Sequence, residues 1–427
     1  MEFSNYNICM AKRKLNVKKM IIRLGIILIV IIGLIFALFY IGNKTIKKSA
    51  NDGAKKYKNK SCTIYYPNNS EFKKYAKEIC GNGDIEITYD YALVPYGDYY
   101  LVTYSNGTKF FMDKENNPLV IDGLTNECRE VVSDYLRYDM QKEDLDSAYT
   151  LDFYEKTYYN NLDLSNAKVE LNGVNISVYL EEFDRTITFP IFDVQKYLNL
   201  NLGTVKQKYV RPHFVSDKRK TIVFTFNDGP STKYSPKLID ELYRYGANAT
   251  FFIQGNKINQ EAVDMIEDSI EKGNEYGSHT ENNIDLSKLD DKEVYNEIMS
   301  PANTLLDGSK SEELEVKGIG YSMKFYRPPY GIRNETIDAI SPLTAVLWDI
   351  DAEDWLYRDE EHLYNYLMEL DEEGKLNRRI VIMHDAYSES VDAAVRAIKE
   401  LAGKGYQFVN LSEFFDLIDF DYSKKYY

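Results

Sequence analysis

The sequence has few of the residues that mark several common classes of protein. Its 427 residues include only four cysteines, none in a Cys-x-x-Cys pair, which argues against a structural zinc site. None of the four lies beyond residue 200, so a cysteine nucleophile is excluded from the part of the chain after residue 200. Basic residues are fewer than acidic ones, 52 against 67, and the net charge of −15 argues against a nucleic-acid-binding protein.

An uncharged hydrophobic run, Leu24–Ile41, follows a short basic segment at residues 1–23. With help from Met20–Ile22, the run just reaches the length that a membrane-spanning helix needs. A cleavable signal peptide is the alternative, but its apolar region is usually shorter, and no convincing small-x-small site precedes Lys44. We therefore predict an uncleaved transmembrane helix over residues 24–42. Basic residues are similarly abundant on both sides of it, so the charge rule does not decide its orientation.

Residues 43–60 are polar and lysine-rich, and they are predicted to form a flexible linker. From 61 to 203, short runs of β-branched and aromatic residues are separated by Asn-Gly and Asp-Gly pairs, which favour hairpins. We predict a small α+β domain here without a catalytic cluster. This domain either binds a cell-envelope polymer or spaces the next domain from the membrane, and the second role is favoured. If it lies outside the cell, Cys62 and Cys80 could pair.

The segment 205–420 has a different pattern, because strand-like runs now alternate with helical ones. Repeated βα units favour a parallel sheet, and the length fits an irregular (β/α) barrel of seven or eight units. Its first strand, Ile222–Phe226, is apolar and stops abruptly at Asn227-Asp228-Gly229-Pro230, which is typical of a strand buried on both faces. The predicted fold class is therefore α/β, with the barrel preceded by a transmembrane anchor and the small α+β domain.

Five polar clusters follow predicted strands of this barrel. They are Asn227-Asp228, His279-Thr-Glu-Asn-Asn283, Arg327-Pro-Pro-Tyr330-Gly331, Asp351-Ala-Glu-Asp354-Trp355 and His384-Asp385. The C-terminal strand ends of a barrel converge on one face, even when they are distant in sequence. Convergent carboxylate, imidazole and guanidinium groups predict metal-assisted hydrolysis, in which a metal polarises a carbonyl and activates water. The other two histidines, His213 and His362, lie outside the clusters and are interpreted as structural.

The order and content of these clusters resemble the polysaccharide deacetylase family, also called the NodB-homology domain or carbohydrate esterase family 4. The resemblance extends from Lys218 to Leu417, and it includes the stretches Gly246–Phe252 and Ile380–Asp385. It implies that Asp228 is a metal ligand with His279 as its partner. It also implies a groove built by Arg327, Pro329 and Tyr330, in which the Tyr330 N–H binds the developing oxyanion. The resemblance further implies that Trp355 forms a wall of the acetyl pocket, that Asp354 orients Arg327, and that His384 protonates the leaving amine.

Two positions depart from the family pattern. Asn227 stands where the family has an aspartate as general base, and Asn283 stands where it has a second histidine ligand. An amide cannot accept a proton at neutral pH, and losing a general base typically costs about 10²–10⁴-fold in rate. Asn227 could equally be only a turn former, and Asp385 or Glu353 are candidate substitutes for the base.

The amide at position 283 also bears on the metal. Because an oxygen ligand moves the preference toward harder ions, the divalent cofactor is zinc by resemblance, with manganese or magnesium as alternatives. His279 and Asn283 are four residues apart, and both would face one ion if they lay on a helical turn.

The resemblance implies a membrane-anchored hydrolase that removes N-acetyl groups from amino sugars of peptidoglycan or an exopolysaccharide, with weak or altered activity. It also implies that the C-terminal domain lies outside the cytoplasm. One alternative is a catalytically inactive descendant that binds glycan or a protein partner on the same face. A plain structural protein of the envelope is a third hypothesis. The retained arginine and histidine motifs favour the enzyme, whereas the paired asparagines favour the binding protein.

Overall fold

The computed structural model describes residues 209–427 apart from 311–314 and 425–426, residues 123–200 apart from 144 and 199, and short separate segments between 55 and 121, with Leu202. The predicted transmembrane helix at 24–42 lies outside these residues, and so does Cys80 with its predicted pairing. Within the described residues, no helix combines the length and the apolar character that crossing a membrane requires.

The chain divides into two compact units. One draws on residues up to Asp122, with 170–176 and 190–205, and the other on residues 123–169, 177–189 and 206–427. The first unit contains the strands β1 (Lys55–Lys58), β2 (Cys62–Tyr66), β3 (Ile85–Ile87), β4 (Tyr89–Leu93), β5 (Tyr100–Tyr104) and β6 (Lys109–Met112). Strands β1, β2 and β3 form one sheet and β4, β5 and β6 a second, antiparallel one.

The units interleave along the chain, whereas the predicted domains 61–203 and 205–420 are contiguous. Helices α1 (Arg129–Lys142) and α2 (Leu151–Thr157) belong to the second unit. The helix α1 is tied to that unit by Arg137, which is buried and donates hydrogen bonds to the carbonyls of Tyr243 (2.8 Å) and Arg244 (3.1 Å). The strands β7 (Lys168–Asn172), β8 (Asn175–Leu180) and β9 (Arg185–Pro190) lie where the division between the units falls.

The rest of the second unit alternates strands and helices, as predicted. The strands are β10 (Thr221–Gly229), β11 (Thr250–Ile253), β12 (Glu275–Ser278), β13 (Gly308–Lys310), β14 (Glu315–Lys317), β15 (Phe325–Tyr326), β16 (Thr344–Ala345), β17 (Ile350–Asp351), β18 (Arg379–His384) and β19 (Gln407–Phe408). The helices are α3 (Ser235–Arg244), α4 (Gln260–Glu271), α5 (Asp291–Asp307), α6 (Glu335–Ile340), α7 (Glu360–Glu372), α8 (Ser388–Gly403) and α9 (Leu411–Leu417).

Eight of these strands form one parallel sheet in the order β16-β15-β12-β11-β10-β18-β17, with β19 also paired to β10. The two outermost strands, β16 and β17, are consecutive in sequence, so the sheet curls back toward its own beginning. This mixed α/β arrangement fits the predicted (β/α) barrel, and the number of strands agrees with the predicted seven or eight.

Side chains of the central strands alternate between two apolar layers. On β10, Phe224 and Phe226 belong to the large core beneath the helices, whereas Val223 packs in a second cluster with Phe252 and Ile380. Successive residues of a strand face opposite sides of the sheet, which explains why both faces of this strand are buried. The face that carries Val223 continues upward to Thr225 and Asn227, and it therefore leads to the polar clusters at the strand ends.

Candidate active site

The end of β10 is irregular, and the irregularity puts two consecutive side chains into one pocket. Asn227 is in register with Phe252 of β11, but Ile253 is in register with Gly229, so Asp228 is an extra residue in the ladder. Asp228 has a left-handed backbone with φ of 66°. In a regular strand Asn227 and Asp228 would face opposite sides, whereas a bulge redirects one of them. As a result, both line a pocket of about 400 Å³.

Three side chains surround the carboxylate of Asp228. Its Oδ1 accepts hydrogen bonds from Gln254 Nε2 at 2.7 Å and Asn283 Nδ2 at 3.1 Å. His279 Nε2 lies 3.5 Å from the same oxygen. The segment 279–283 is not a helical turn, because it is a loop with left-handed φ values at Thr280 (64°) and Asn283 (54°). The loop nevertheless brings Asn283 to the carboxylate.

His279 is held in the tautomer that suits a metal ligand. Its Nδ1 donates to the carbonyl of Arg327 at 2.8 Å, which leaves the Nε2 lone pair directed toward Asp228 and Asn227. Burial lowers the pKa of His279 to about 4, and the charge of Asp228 offsets this only in part. The imidazole is therefore neutral at physiological pH.

Asp228 and His279 fit a divalent metal ion as oxygen and nitrogen ligands, and Asn283 fits as a third ligand once its amide oxygen turns inward. Among the described residues, no group of three His, Cys, Asp or Glu side chains is arranged to hold a metal. The reason is that the third position around this carboxylate is an amide, as the sequence indicates.

Arg327 is fully buried beneath the pocket, and it fixes Asn227. Its guanidinium donates to Asn227 Oδ1 at 3.0 Å and to Thr225 Oγ1 at 2.8 Å, and to the carbonyls of Val346 and Leu347. Burial lowers the pKa of Arg327 to about 9, against a raising effect of the charge of Asp351. Asn227 is thus a strand residue bound to the arginine, which the interpretation as a mere turn former does not explain.

His384, at the end of β18, is paired with a buried carboxylate. Its Nδ1 lies 2.7 Å from Asp354 Oδ1, and its backbone N–H donates to Asp354 Oδ2 at 2.7 Å. The hydroxyl of Ser390 also donates to Asp354. Burial by itself would lower the pKa of His384, but the hydrogen bond and charge of Asp354 outweigh it, and the pKa is raised. The prediction that Asp354 orients Arg327 is therefore wrong, because its oxygens are engaged by His384 and Ser390.

The pocket gathers residues from all five predicted clusters. It is lined by Asn227, Asp228, His279, Asn283, Tyr330, Trp348, Asp351, Trp355, Ile382, His384 and Tyr387. Tyr330 and Trp355 stand at its rim with 69% and 52% of their surface exposed, and the Tyr330 hydroxyl donates to the Asn283 carbonyl at 3.1 Å. Pro329, predicted to contact substrate, is buried in the short turn Pro329–Gly331.

Several residues of the site were missed by the sequence analysis. Trp348, Ile382 and Tyr387 line the pocket, and Ser390 holds Asp354 from helix α8. The signal for Ile382 was available, since it lies two residues before His384 on the same strand and so shares its face. Ser390 follows His384 by six residues across a turn, and its contact depends on how α8 packs.

The two carboxylates predicted as substitute bases lie away from the pocket. Asp385 is buried, accepts a hydrogen bond from the Ser235 hydroxyl, and occupies the space where a side chain at Gly229 would otherwise project. Burial raises its pKa to about 6. Glu353 is exposed. The two histidines outside the clusters do not line the pocket: His213 Nδ1 lies 2.9 Å from Glu413, and His362 is exposed near the start of helix α7.

Comparison with known proteins places this region in a family. The sequence model of the family described as polysaccharide deacetylase matches residues 215–344. A peptidoglycan-N-acetylglucosamine deacetylase of Bacillus cereus is 31% identical over 207 residues, covering 47% of this chain and 90% of that protein. The peptidoglycan-N-acetylmuramic acid deacetylase PdaC of Bacillus subtilis is 31% identical over 199 residues, covering 47% of this chain and 39% of that protein. The chain therefore spans about two fifths of the length of PdaC.

A solved structure of PdaC from Bacillus subtilis is also similar. It shares 30% sequence identity with this chain, covers 48% of it and 94% of the PdaC chain, and superposes with a TM-score of 0.43.

Proposed function

Because the chain belongs to the polysaccharide deacetylase family, we propose that it removes N-acetyl groups from amino sugars of a cell-envelope glycan, either peptidoglycan or an exopolysaccharide. The observation that carries this proposal is the pairing of His384 with Asp354 beside Asp228 and His279 in one pocket. Amide hydrolysis needs a proton donor for the leaving nitrogen and a polarised carbonyl, and these two pairs can supply them.

The proton donor is His384. Its Nδ1 is bound to Asp354, so its Nε2 faces the pocket, 4.0 Å from Asp228 Oδ2. The charge of Asp354 favours the imidazolium, which is the form that can protonate an amine as the carbon–nitrogen bond breaks. The backbone N–H bond and the Ser390 hydroxyl hold Asp354 in place and thereby fix the direction of the imidazole.

Asp228, His279 and Asn283 would hold the divalent metal, which supplies Lewis acidity to the acetyl carbonyl when bound. His279 contributes a neutral imidazole, and Asp228 contributes the negative charge that balances the ion. Zinc is the expected ion by family, and the amide at 283 makes manganese or magnesium acceptable alternatives.

Tyr330 and Trp355 present exposed aromatic faces at the rim. Large apolar side chains that remain exposed beside a polar pocket are typical of a binding surface. They suit the apolar faces of a sugar ring, and the wall formed by Trp348 and Ile382 suits the methyl group of an acetamide.

A second candidate function is binding of glycan without hydrolysis. The observation that favours it is Asn227, whose amide stands where the family has its general base and cannot accept a proton at neutral pH. Changing Asn227 to Asp discriminates the two hypotheses. A site that performs hydrolysis should gain acetate release, whereas a site reshaped for binding should not.

The proposal extends to the placement of the protein. The hydrophobic run at 24–42 would anchor the chain in the cell membrane as a single span, with residues 1–23 in the cytoplasm and the C-terminal domains outside it. Envelope glycan lies on that side, so the substrate and the pocket would meet there. The region 61–203 would space the pocket from the membrane.

The test is acetate release by the full-length protein from N-acetylglucosamine oligomers and from peptidoglycan, with zinc, manganese, magnesium or a chelator present. We expect metal-dependent release that is abolished in His384→Ala and retained in His362→Ala, a histidine outside the pocket. Glycan binding without release under any of these metals would contradict the deacetylase and support the binding protein.

A further inference from the structure

A carboxylate that the sequence analysis left without a role, Asp351, lines the same pocket as the two histidines. It is the last residue of β17 and is in register with Ile382 of β18. Ile382 and His384 are two residues apart on β18, so they share one face of the sheet. The register therefore puts Asp351 on the inner face, and it contributes to the pocket together with Asn227, Asp228 and His384.

The orientation of Asn227 explains why the site needs another base. Arg327 donates to Asn227 Oδ1, and this interaction fixes which end of the amide is the oxygen. Asn227 Nδ2 then faces His279 Nε2 at 3.5 Å. Asn227 thus offers an N–H group to the pocket, and it can orient a water molecule but cannot take its proton.

The other carboxylates near the pocket are already engaged. Asp354 accepts three hydrogen bonds and is fully buried, Asp228 lies against His279 and Asn283, and Asp385 is turned toward Ser235. Asp351 accepts one hydrogen bond on Oδ1, from the backbone N–H of Glu353 at 2.8 Å. This bond fixes the carboxylate and leaves Oδ2 as the oxygen that can receive a proton.

The charge of Asp351 acts on Arg327, which in turn binds Asn227 in the pocket. Arg327 is a fully buried cation, and its hydrogen bonds go to carbonyls, a hydroxyl and the amide of Asn227. The negative charge of Asp351 raises the pKa of Arg327 against the effect of burial, which indicates that Asp351 compensates the guanidinium. Because Arg327 also holds Asn227, this interaction connects the carboxylate of Asp351 with the residue that stands where the family has its general base.

We propose that Asp351 is the general base of this site and performs the proton transfer that Asn227, at the family's usual base position, cannot perform. The inference rests on the proposed deacetylase activity. Asp351 takes a proton from water while the water oxygen bonds to the acetamide carbon. The carbon–nitrogen bond then breaks as the nitrogen takes a proton from His384, and the products are acetic acid and the free amine. Asp351 and the newly formed acetic acid then lose their protons to solvent, and His384 regains one, so that the site returns to its starting state.

The test compares Asp351→Asn with Asp349→Asn in the full-length protein. Asp349 lies two residues earlier and binds the Ile380 N–H at 2.8 Å at the edge of the sheet, which makes it a matched control. We expect Asp351→Asn to lower kcat for acetate release by about 10²–10⁴-fold with little change in KM, and Asp349→Asn to stay within a few-fold of wild type. Zinc affinity measured by calorimetry should not change, because Asp351 is not a ligand.

Two rescue experiments separate a base from a residue that only balances the charge of Arg327. Formate added to Asp351→Ala should restore acetate release by at least tenfold, and adding Asn227→Asp to Asp351→Asn should raise its kcat. An Asp351→Asn variant as active as the wild type would overturn the assignment. A loss that follows a lowered melting temperature and that neither formate nor Asn227→Asp repairs would also overturn it. Wild type that releases no acetate with any metal would overturn the proposed function, and the base with it.

Discussion

The two histidines of the pocket are the same residue type, yet their surroundings adjust them in opposite directions. His279 donates its Nδ1 proton to a backbone carbonyl, and burial lowers its pKa to about 4. His384 directs its Nδ1 to the carboxylate of Asp354, and its pKa is raised in spite of burial. A neutral imidazole with an available Nε2 suits a metal ligand, whereas a histidine that favours the charged form suits a proton donor.

The difference shows that the group bound to Nδ1 decides in which direction the pKa of each imidazole is shifted. Both side chains are almost completely buried, so burial alone would make both of them neutral. A neutral carbonyl leaves that tendency intact for His279, and an ionised carboxylate reverses it for His384. The comparison can be tested by changing the partners and by measuring a different property at each ring.

The largest effect is expected for Asp354→Asn. The amide keeps the size of the side chain but cannot stabilise an imidazolium, so kcat for acetate release should fall by about 10²–10⁴-fold. The measurement is steady-state deacetylation of N-acetylglucosamine oligomers. Zinc affinity serves as the control and should remain close to that of the wild type. Unchanged kcat would show that the carboxylate does not activate His384.

For His279→Ala we expect the main loss to be in zinc affinity. Removing a nitrogen ligand should weaken zinc binding by at least about 10–100-fold, the range that loss of even an outer partner can produce. Calorimetric titration of zinc is the measurement, and His384→Ala should retain nearly the wild-type affinity. If the two variants lost zinc to the same degree, the division of roles between the histidines would be wrong.

A third prediction concerns the carboxylate that follows His384. Burial raises the pKa of Asp385 to about 6, so the folded protein holds a proton there that the unfolded chain has released. Its contribution to stability is therefore full at low pH and decreases as the pH rises from about 4 to 6. Asp385→Asn should not show this decrease, and thermal unfolding measured at pH 4 and pH 7 checks it. A melting temperature that changes equally with pH in both proteins would contradict the prediction.

The smallest effect is expected for Ser390→Ala. Ser390 supplies one of three hydrogen bonds to Asp354, and loss of a bond to a charged group should lower kcat by roughly 10-fold. Ser388→Ala, two residues earlier on the same helix, is the matched control and should have no effect. Equal activity of both variants would indicate that the two bonds from His384 are sufficient to hold the carboxylate.

Much of the second unit was predictable because its signals are local. The alternation of strand-like and helical runs predicted repeated βα units in a parallel sheet, and the predicted strand Ile222–Phe226 lies within the observed strand Thr221–Gly229. The polar clusters could be assigned to strand ends for the same reason. The loop at 279–283 was not predictable in this way, since its left-handed residues satisfy tertiary contacts and not a helical pattern.

Residue identities by themselves determined the parallel α/β fold, the five clusters and the replacement of two functional side chains by asparagine. Only the tertiary structure decided which groups pair. Asp354 meets His384 and not Arg327, Asp228 shares a pocket with Asn227 through a bulge, and Asp351 joins them from β17. Sequence specifies the side chains and their order, but hydrogen-bond partners depend on strand register and helix packing, which place residues that are tens of positions apart within 3 Å of one another.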